Sequence, residues 1–472
     1  MKRRIILSIA LTLSSCTIFA QTHTPVSMPS LFADGMVLQQ QCEAPIWGYA
    51  QAGTHVKIVG SWNLTDTVTA AVDDCGRWKA KIRTTNHGGP YTLQVFSTSN
   101  ASDRITLSDV MLGEVWLCSG QSNMEWTPNN GITNKDQEIA NANYPNIRYF
   151  SLKKRGSLTR QDDCEARWEA CSPKVMAQRS ALAYFFGRRL HQQLDVPIGL
   201  IVSAWGGTPA EVWIPEEDIQ TNQQLQGKLM SEKAPWWPIE PGRLYNSMIN
   251  PLVPYAIAGA IWYQGESNRT NASVYHLLMK QLIESWRDAF NIDFPFYMVQ
   301  IAPYNYNDTK NNATYVREAQ QKACEIVPNT ALVVTNDVGD VTNIHPAKKQ
   351  EVGIRLANMA LGRIYHKLDD RYETSFLDSH SLQNGKLSLT FSHAGDKLVC
   401  SDKEIVGLRI TDAQGKDVNP KVRIVGNKLV IDLKKTKLPV TVYYCFDDVT
   451  VGNVFNNYGL PIAPFRLELS NN

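Results

Sequence analysis

Two hydrophobic patterns alternate along the chain, and their order predicts its layout. From Pro25 to about Thr106, apolar residues recur at every second position in short runs such as His55-Val56-Lys57-Ile58-Val59 and Tyr91-Thr92-Leu93-Gln94-Val95, with Gly, Asn and Asp between them. A period of two puts alternate side chains on opposite faces of a strand, so this segment is expected to be an all-β sandwich. A continuous apolar run over 115–118 then sits between Glu114 and a group of turn residues, the pattern of a strand buried on both faces. Beyond it, helix-period and strand-like segments take turns to about residue 365. Residues 178–194 carry Leu182, Phe185, Phe186, Leu190 and Leu194 at helical spacing ahead of a strand over 196–203. Residues 275–290 precede a strand over 296–301, and 315–326 precede one over 331–334. Such alternation predicts an α/β domain with a mostly parallel sheet covered by helices. From about Asp370 the strand pattern returns, in 386–391, 422–425, 429–433 and 440–444. The layout expected is an N-terminal β-sandwich-like domain over 21–109, an α/β domain over 110–368 and a C-terminal β-rich region over 369–472, with no internal repeat.

Residues 1–20 follow a different pattern: Lys2-Arg3-Arg4, an apolar run over 5–13, then small and polar residues. This reads as an export signal, and the run is too short to span a bilayer as a mature helix. Cleavage after Ala20 would leave Gln21 first, in a soluble periplasmic or secreted protein. The run Leu13-Ser14-Ser15-Cys16 resembles a lipoprotein signal, in which Cys16 becomes the lipidated first residue. No second apolar stretch is long enough to anchor the chain.

At 472 residues, several cores are expected. The formal charge of +2 falls to −1 without Lys2, Arg3 and Arg4, which argues against a nucleic-acid or anionic-membrane partner. Eight cysteines follow Cys16. Cys118 and Cys324 fall in apolar stretches and are expected to be buried thiols, while Cys164 with Cys171 and Cys400 with Cys445 are candidate pairs. Neither Cys-x-x-Cys nor His-Glu-x-x-His occurs, so the sequence offers no metal motif.

Candidate chemistry gathers after the predicted strands. Ser122, in Gly120-Gln121-Ser122-Asn123-Met124, follows the carboxyl end of the 115–118 strand, where open α/β sheets place their ligands. As a nucleophile it needs a base. His345 has the best setting, between a strand and a helix opened by Pro346, with Val352, Leu356 and Met359 as the buried stripe. An oxyanion needs preorganised donors, each worth roughly 3 kcal/mol of barrier. Candidates are the Ser122 N–H, the Gly206-Gly207 backbone, and the Gln264 side chain in Trp262-Tyr263-Gln264-Gly265-Glu266-Ser267-Asn268. Met124 stands where the nucleophile elbow of the α/β-hydrolases requires Gly, so that motif is absent.

Gly-Gln-Ser-Asn-Met resembles the first signature block of the SGNH (GDSL-like) hydrolases, in the form used by sialate O-acetylesterases and related acetylxylan esterases. The Gly207, Gln264 and His345 segments resemble the later blocks, in order. Gln264 stands where most SGNH enzymes carry Asn, a change the esterase subgroup shares. The segment from Met28 to Gln39 and the closing Gly459-Leu460-Pro461-Ile462-Ala463-Pro464-Phe465-Arg466 are similar to the family's two ends. The resemblance implies an SGNH-type three-layer domain and an exported serine esterase that removes O-acetyl groups from sialic acids through an acetyl-enzyme, with no cofactor. An acetylxylan or other plant-glycan acetylesterase is the alternative, and an inactive glycan-binding protein the alternative from another class. Most SGNH enzymes place an Asp three residues before the His, where this chain has Thr342. Asp340 is the candidate acid, with Asp337 behind it; a Ser-His dyad held by a backbone carbonyl is the other option. Glu266 is expected either to hold Gln264 or Asn123 or to be a surface carboxylate. Trp126, Trp205, Trp213, Trp236 and Trp237 are candidates for sugar stacking or for core, and Arg269 and Arg317 for binding a sialic acid carboxylate.

Overall fold

A computed structural model describes residues 24–470 apart from 231–234, 308, 309 and 311. The expected export signal, including Cys16, falls outside the described residues. Among those described, no helix is long and apolar enough to cross a membrane, and no group of three or more His, Cys, Asp or Glu is placed to hold a metal.

The central sheet runs in the order Thr330–Val333, Phe296–Val299, Gly259–Tyr263, Arg104–Gly120, Ile198–Ala204, Tyr144–Ser151 and Trp168–Cys171. Every neighbouring pair is parallel except the last. The apolar run at 115–118 reflects burial on both sides: Val115 and Leu117 point into one core, Trp116 and Cys118 into the other. Helices Ala272–Phe290 and Asn312–Ile326 cover the first face, and Ala181–Leu194 with Lys349–Arg363 the second. The result is a three-layer α/β domain with a mostly parallel sheet, flanked by all-β regions. Carboxyl ends of the parallel strands all open on one edge, which collects the loops after Gly120, Ala204, Tyr263 and Val333.

The strand Arg104–Gly120 is 17 residues long and serves two sheets. Its first half pairs antiparallel with Gly88–Ser97 and parallel with Val37–Gln39; its second half lies between Ile198–Ala204 and Gly259–Tyr263. The N-terminal β region is therefore joined to the α/β domain by a shared strand, and a cut at 109–110 would fall inside it. The C-terminal region has its own core, built by antiparallel sheets of four, three and two strands around Leu387, Leu389, Ile431, Val442, Tyr444 and Val454.

All eight described cysteines are free. The candidate pairs 164/171 and 400/445 do not form: the Cys171 thiol is directed at Ala142 O and the Cys400 thiol at Glu404 O. Burial raises the Cys118 and Cys324 thiols, leaving them as inert apolar groups.

Candidate active site

Ser122 is the first residue of a one-turn helix, Ser122–Glu125, reached from the strand through extended Gln121. Neighbouring loops lock this turn in place. Gln121 N–H donates to Tyr263 O at 2.9 Å, Trp205 N–H donates to Gly120 O at 3.1 Å, and Gln121 Oε1 accepts from Gly265 N and Ser267 N at 3.3 and 3.4 Å. The backbone N–H groups of Ser122, Gly206 and Gly207 have no hydrogen-bond partner among the described residues. Half-exposed Ser122 thus stands beside free donors at a helix N-terminus, an arrangement suited to anionic oxygen.

The Gly206-Gly207 loop approaches so closely that side chains would collide. A Cβ on Gly206 would lie 3.0 Å from both Ser122 Cβ and Glu125 Oε1. Gly207 has φ +82°, and a Cβ there would meet the Trp237 ring at 2.6 Å. Gly206→Ala is expected to push the nucleophile a few tenths of an ångström, lowering kcat/KM for an acetate ester about tenfold while urea denaturation stays near wild type. Unchanged kcat/KM would show that this approach is immaterial.

Gln264 is fully buried. Its two amide hydrogens go to Asn268 Oδ1 at 2.7 Å and Thr208 O at 3.2 Å, and its Oε1 accepts from Tyr275 at 2.8 Å. In this arrangement the amide braces the loop after Gly207 and has no free donor of its own. Asn268 extends the brace, accepting from Ala210 N at 2.9 Å and donating to Glu211 Oε2 at 2.8 Å.

His345 reaches the nucleophile turn through its own strap. Asn123 Nδ2 donates to Ile344 O at 3.1 Å and to Glu266 Oε1 at 2.7 Å, while Asn123 Oδ1 accepts from Lys349 Nζ at 2.5 Å. The His345 ring stacks on Trp126, with centroids 4.0 Å apart and planes 17° apart. Burial first, then the Lys349 charge, pushes its pKa down to about 4; burial also pulls Lys349 down to about 7 against the pull of Glu266. No hydrogen bond joins Ser122 to His345 among the described residues. Neither aspartate is brought to the ring. Asp340 accepts from Thr342 N at 2.9 Å and Thr342 Oγ1 at 2.7 Å within its own turn, which lowers its pKa, and Asp337 forms a two-pronged pair with Arg355 at 2.8 and 2.6 Å.

Residues 112–362 match the family described as carbohydrate esterase, sialic acid-specific acetylesterase. The chain belongs to that family. Human sialate O-acetylesterase is 30% identical over 398 residues, covering 77% of this chain and 76% of that protein. The mouse sialate O-acetylesterase is 31% identical over 422 residues, covering 75% and 77%. A carbohydrate acetylesterase from Xanthomonas citri superposes with a TM-score of 0.83 at 31% identity, covering 94% of this chain and 99% of that one. The protein is a carboxylic ester hydrolase with an SGNH-type fold, and this stands against the binding-only alternative.

Other candidates of the esterase sort by burial. Trp213 is core, and Trp126 is spent on His345. Trp236 is 76% exposed, while Trp237 lies on Gly207. Arg317, 1% exposed, gives its guanidinium to the Ile301, Asp447 and Asp448 carbonyls at 3.1, 2.6 and 3.1 Å, so it cannot bind substrate. Arg269 lies 3.6 Å over the Tyr306 ring. Sequence reasoning missed Lys349. Its signal was available, since residue 349 falls on the stripe shared by Val352, Leu356 and Met359, where a lysine is out of place.

Proposed function

We propose that this protein is an exported serine esterase that removes O-acetyl groups from sialic acids, with Ser122 as nucleophile and His345 as base. The observation that carries the mechanism is the meeting, at one sheet edge, of Ser122, free backbone donors and a strap bearing His345. Ser122 Oγ attacks the acetyl carbonyl while its proton passes to His345. The carbonyl oxygen turns to the N–H groups of Ser122 and Gly207, with Gln264 holding that loop through Thr208 and Asn268. Collapse expels the sugar oxygen, which takes the proton back from the imidazolium. Water, deprotonated by His345, then releases acetate and restores Ser122. With Asp340 and Asp337 committed elsewhere, the reading is a dyad whose imidazole is oriented by stacking on Trp126. Export rests on the signal pattern of residues 1–20.

The sialic acid assignment draws on the names of the mammalian relatives. A second reading, a neutral acetylated glycan such as xylan, is favoured by one observation: Arg317, a candidate for the sialate carboxylate, is committed to three carbonyls. Acetate release from 9-O-acetylated sialic acid and from acetylated xylo-oligosaccharides, measured side by side, separates the two. Preference for the sialic acid is expected; preference for the xylo-oligosaccharide would keep the mechanism and replace the substrate.

A further inference from the structure

Lys349 is 1% exposed, on the apolar stripe of its helix, four residues after His345. An ammonium in such a place loses its hydration where a Leu or Met would lose nothing, so its presence there calls for a role. It makes no ion pair within 4 Å among the described residues. Its partner is the Asn123 amide at 2.5 Å, and that amide passes the contact on to Glu266 Oε1 and to Ile344 O. The chain Lys349–Asn123–Glu266 is therefore an ion pair divided by an amide, and the amide belongs to the residue after the nucleophile. Glu266 is 8% exposed, and its second oxygen is buried without a partner. The groups facing Lys349 are Glu266, the Tyr263 ring at 5.8 Å and His345, with Arg269 and Tyr306 beyond Glu266.

We propose that Lys349 is a positioning residue of the deacetylation: it clamps Asn123, and through it the nucleophile turn, against the His345 strap, and holds a positive charge behind the imidazole. The clamp fixes the distance between nucleophile and base, because the side-chain amide of the residue after Ser122 bonds at once to Lys349 and to the carbonyl of the residue before His345. Burial disfavours the imidazolium most, and the charge adds to it, so the imidazole stays free of a proton under mildly acidic conditions. The sign follows from the two groups: Lys349, at about 7, is protonated across pH 4–6, the range in which an imidazole beside a neutral neighbour would take up its proton. The base form then persists well below its ordinary range, and hydrolysis should stay nearly flat down to about pH 5.

This proposal rests on the Ser122–His345 reading, and its test keeps the two apart. The kcat and kcat/KM for 4-nitrophenyl acetate are followed from pH 4 to 8 for the wild type, Lys349→Met, Lys349→Gln and Lys349→Arg, with near-UV circular dichroism reporting the fold. Lys349→Met loses clamp and charge, so its plateau kcat should fall about tenfold and its acidic limb move up by about one pH unit. Lys349→Gln can still donate to Asn123 without a charge, so the limb should move while much of the plateau kcat returns. Lys349→Arg keeps both, and its limb should stay at the wild-type position. A structural role alone would lower the plateau without moving the limb. If Lys349→Met fails to fold, the Gln and Arg limbs decide. Coincident limbs in Lys349→Gln and an active wild type overturn this proposal alone, whereas a wild type inert toward acetate esters would overturn the mechanism beneath it as well.

Discussion

Ser122→Ala is expected to abolish deacetylation, with kcat/KM for any acetate ester falling by on the order of 10³- to 10⁶-fold. The size of the loss follows from the proposed chemistry: without Oγ no acetyl-enzyme forms, and only the donors of the Gly207 loop remain to assist direct attack by water. Stability should hardly change. Ser122 is half-exposed and its hydroxyl has no hydrogen-bond partner among the described residues, so its removal strands no buried group and should stay within about 0.5 kcal/mol of wild type. Initial rates of acetate release and a urea denaturation curve check the two halves. Activity within tenfold of wild type would remove Ser122 from the mechanism.

The second large effect is on stability. Arg317→Met should destabilise the protein by about 3–5 kcal/mol, because it strands carbonyls that the guanidinium now serves. The three acceptors belong to different parts of the molecule: Ile301 follows a central strand, whereas Asp447 and Asp448 lie in the C-terminal β region. The Asp448 carboxylate also accepts from Thr314 N at 3.1 Å, near the start of the helix that carries Arg317. Removing the guanidinium should therefore loosen the C-terminal region first, seen as proteolytic release of a fragment beginning beyond residue 370 at urea concentrations where wild type is intact. Arg317→Lys, with one compact ammonium in place of a fork, should recover only part of the loss. A midpoint shift worth less than about 1 kcal/mol would show that water replaces the guanidinium at those carbonyls.

The contrast between these two residues shows what could be read from the chain. Ser122 and the Gly206-Gly207 pair are legible because each follows a buried apolar run, and in a parallel sheet all such runs end on the same edge. The partners of Arg317 are not, because they lie up to 131 residues away and nothing local marks them. Asp340 illustrates a nearer failure. With Thr342 at the expected spacing, Asp340 is the nearby carboxylate left as candidate acid, yet an Asp two residues before a Thr can close its own turn, and this local bond wins. Gln264, just past an apolar strand, reads as a donor to substrate, but Thr208 O and Asn268 Oδ1 take both its hydrogens. The expected boundary near residue 109 marks a real change, from alternating to continuous hydrophobicity. It reports where the strand Arg104–Gly120 passes from a half-exposed sheet into a doubly covered one, and the chain does not break there.

That strand bears on how a long substrate would be held. An accessory sheet on a flexible tether raises the local concentration of its ligand and tolerates many spacings. Here the sheet and the nucleophile sit on one continuous strand of 17 residues, bent at left-handed Asp109 (φ +54°) but held in pairing on both sides of that bend. Any glycan contact made on the N-terminal sheet stands at a set offset from Ser122. Engagement at both ends would then work as a ruler, choosing which acetyl group along a chain is cut by its distance from the point of attachment.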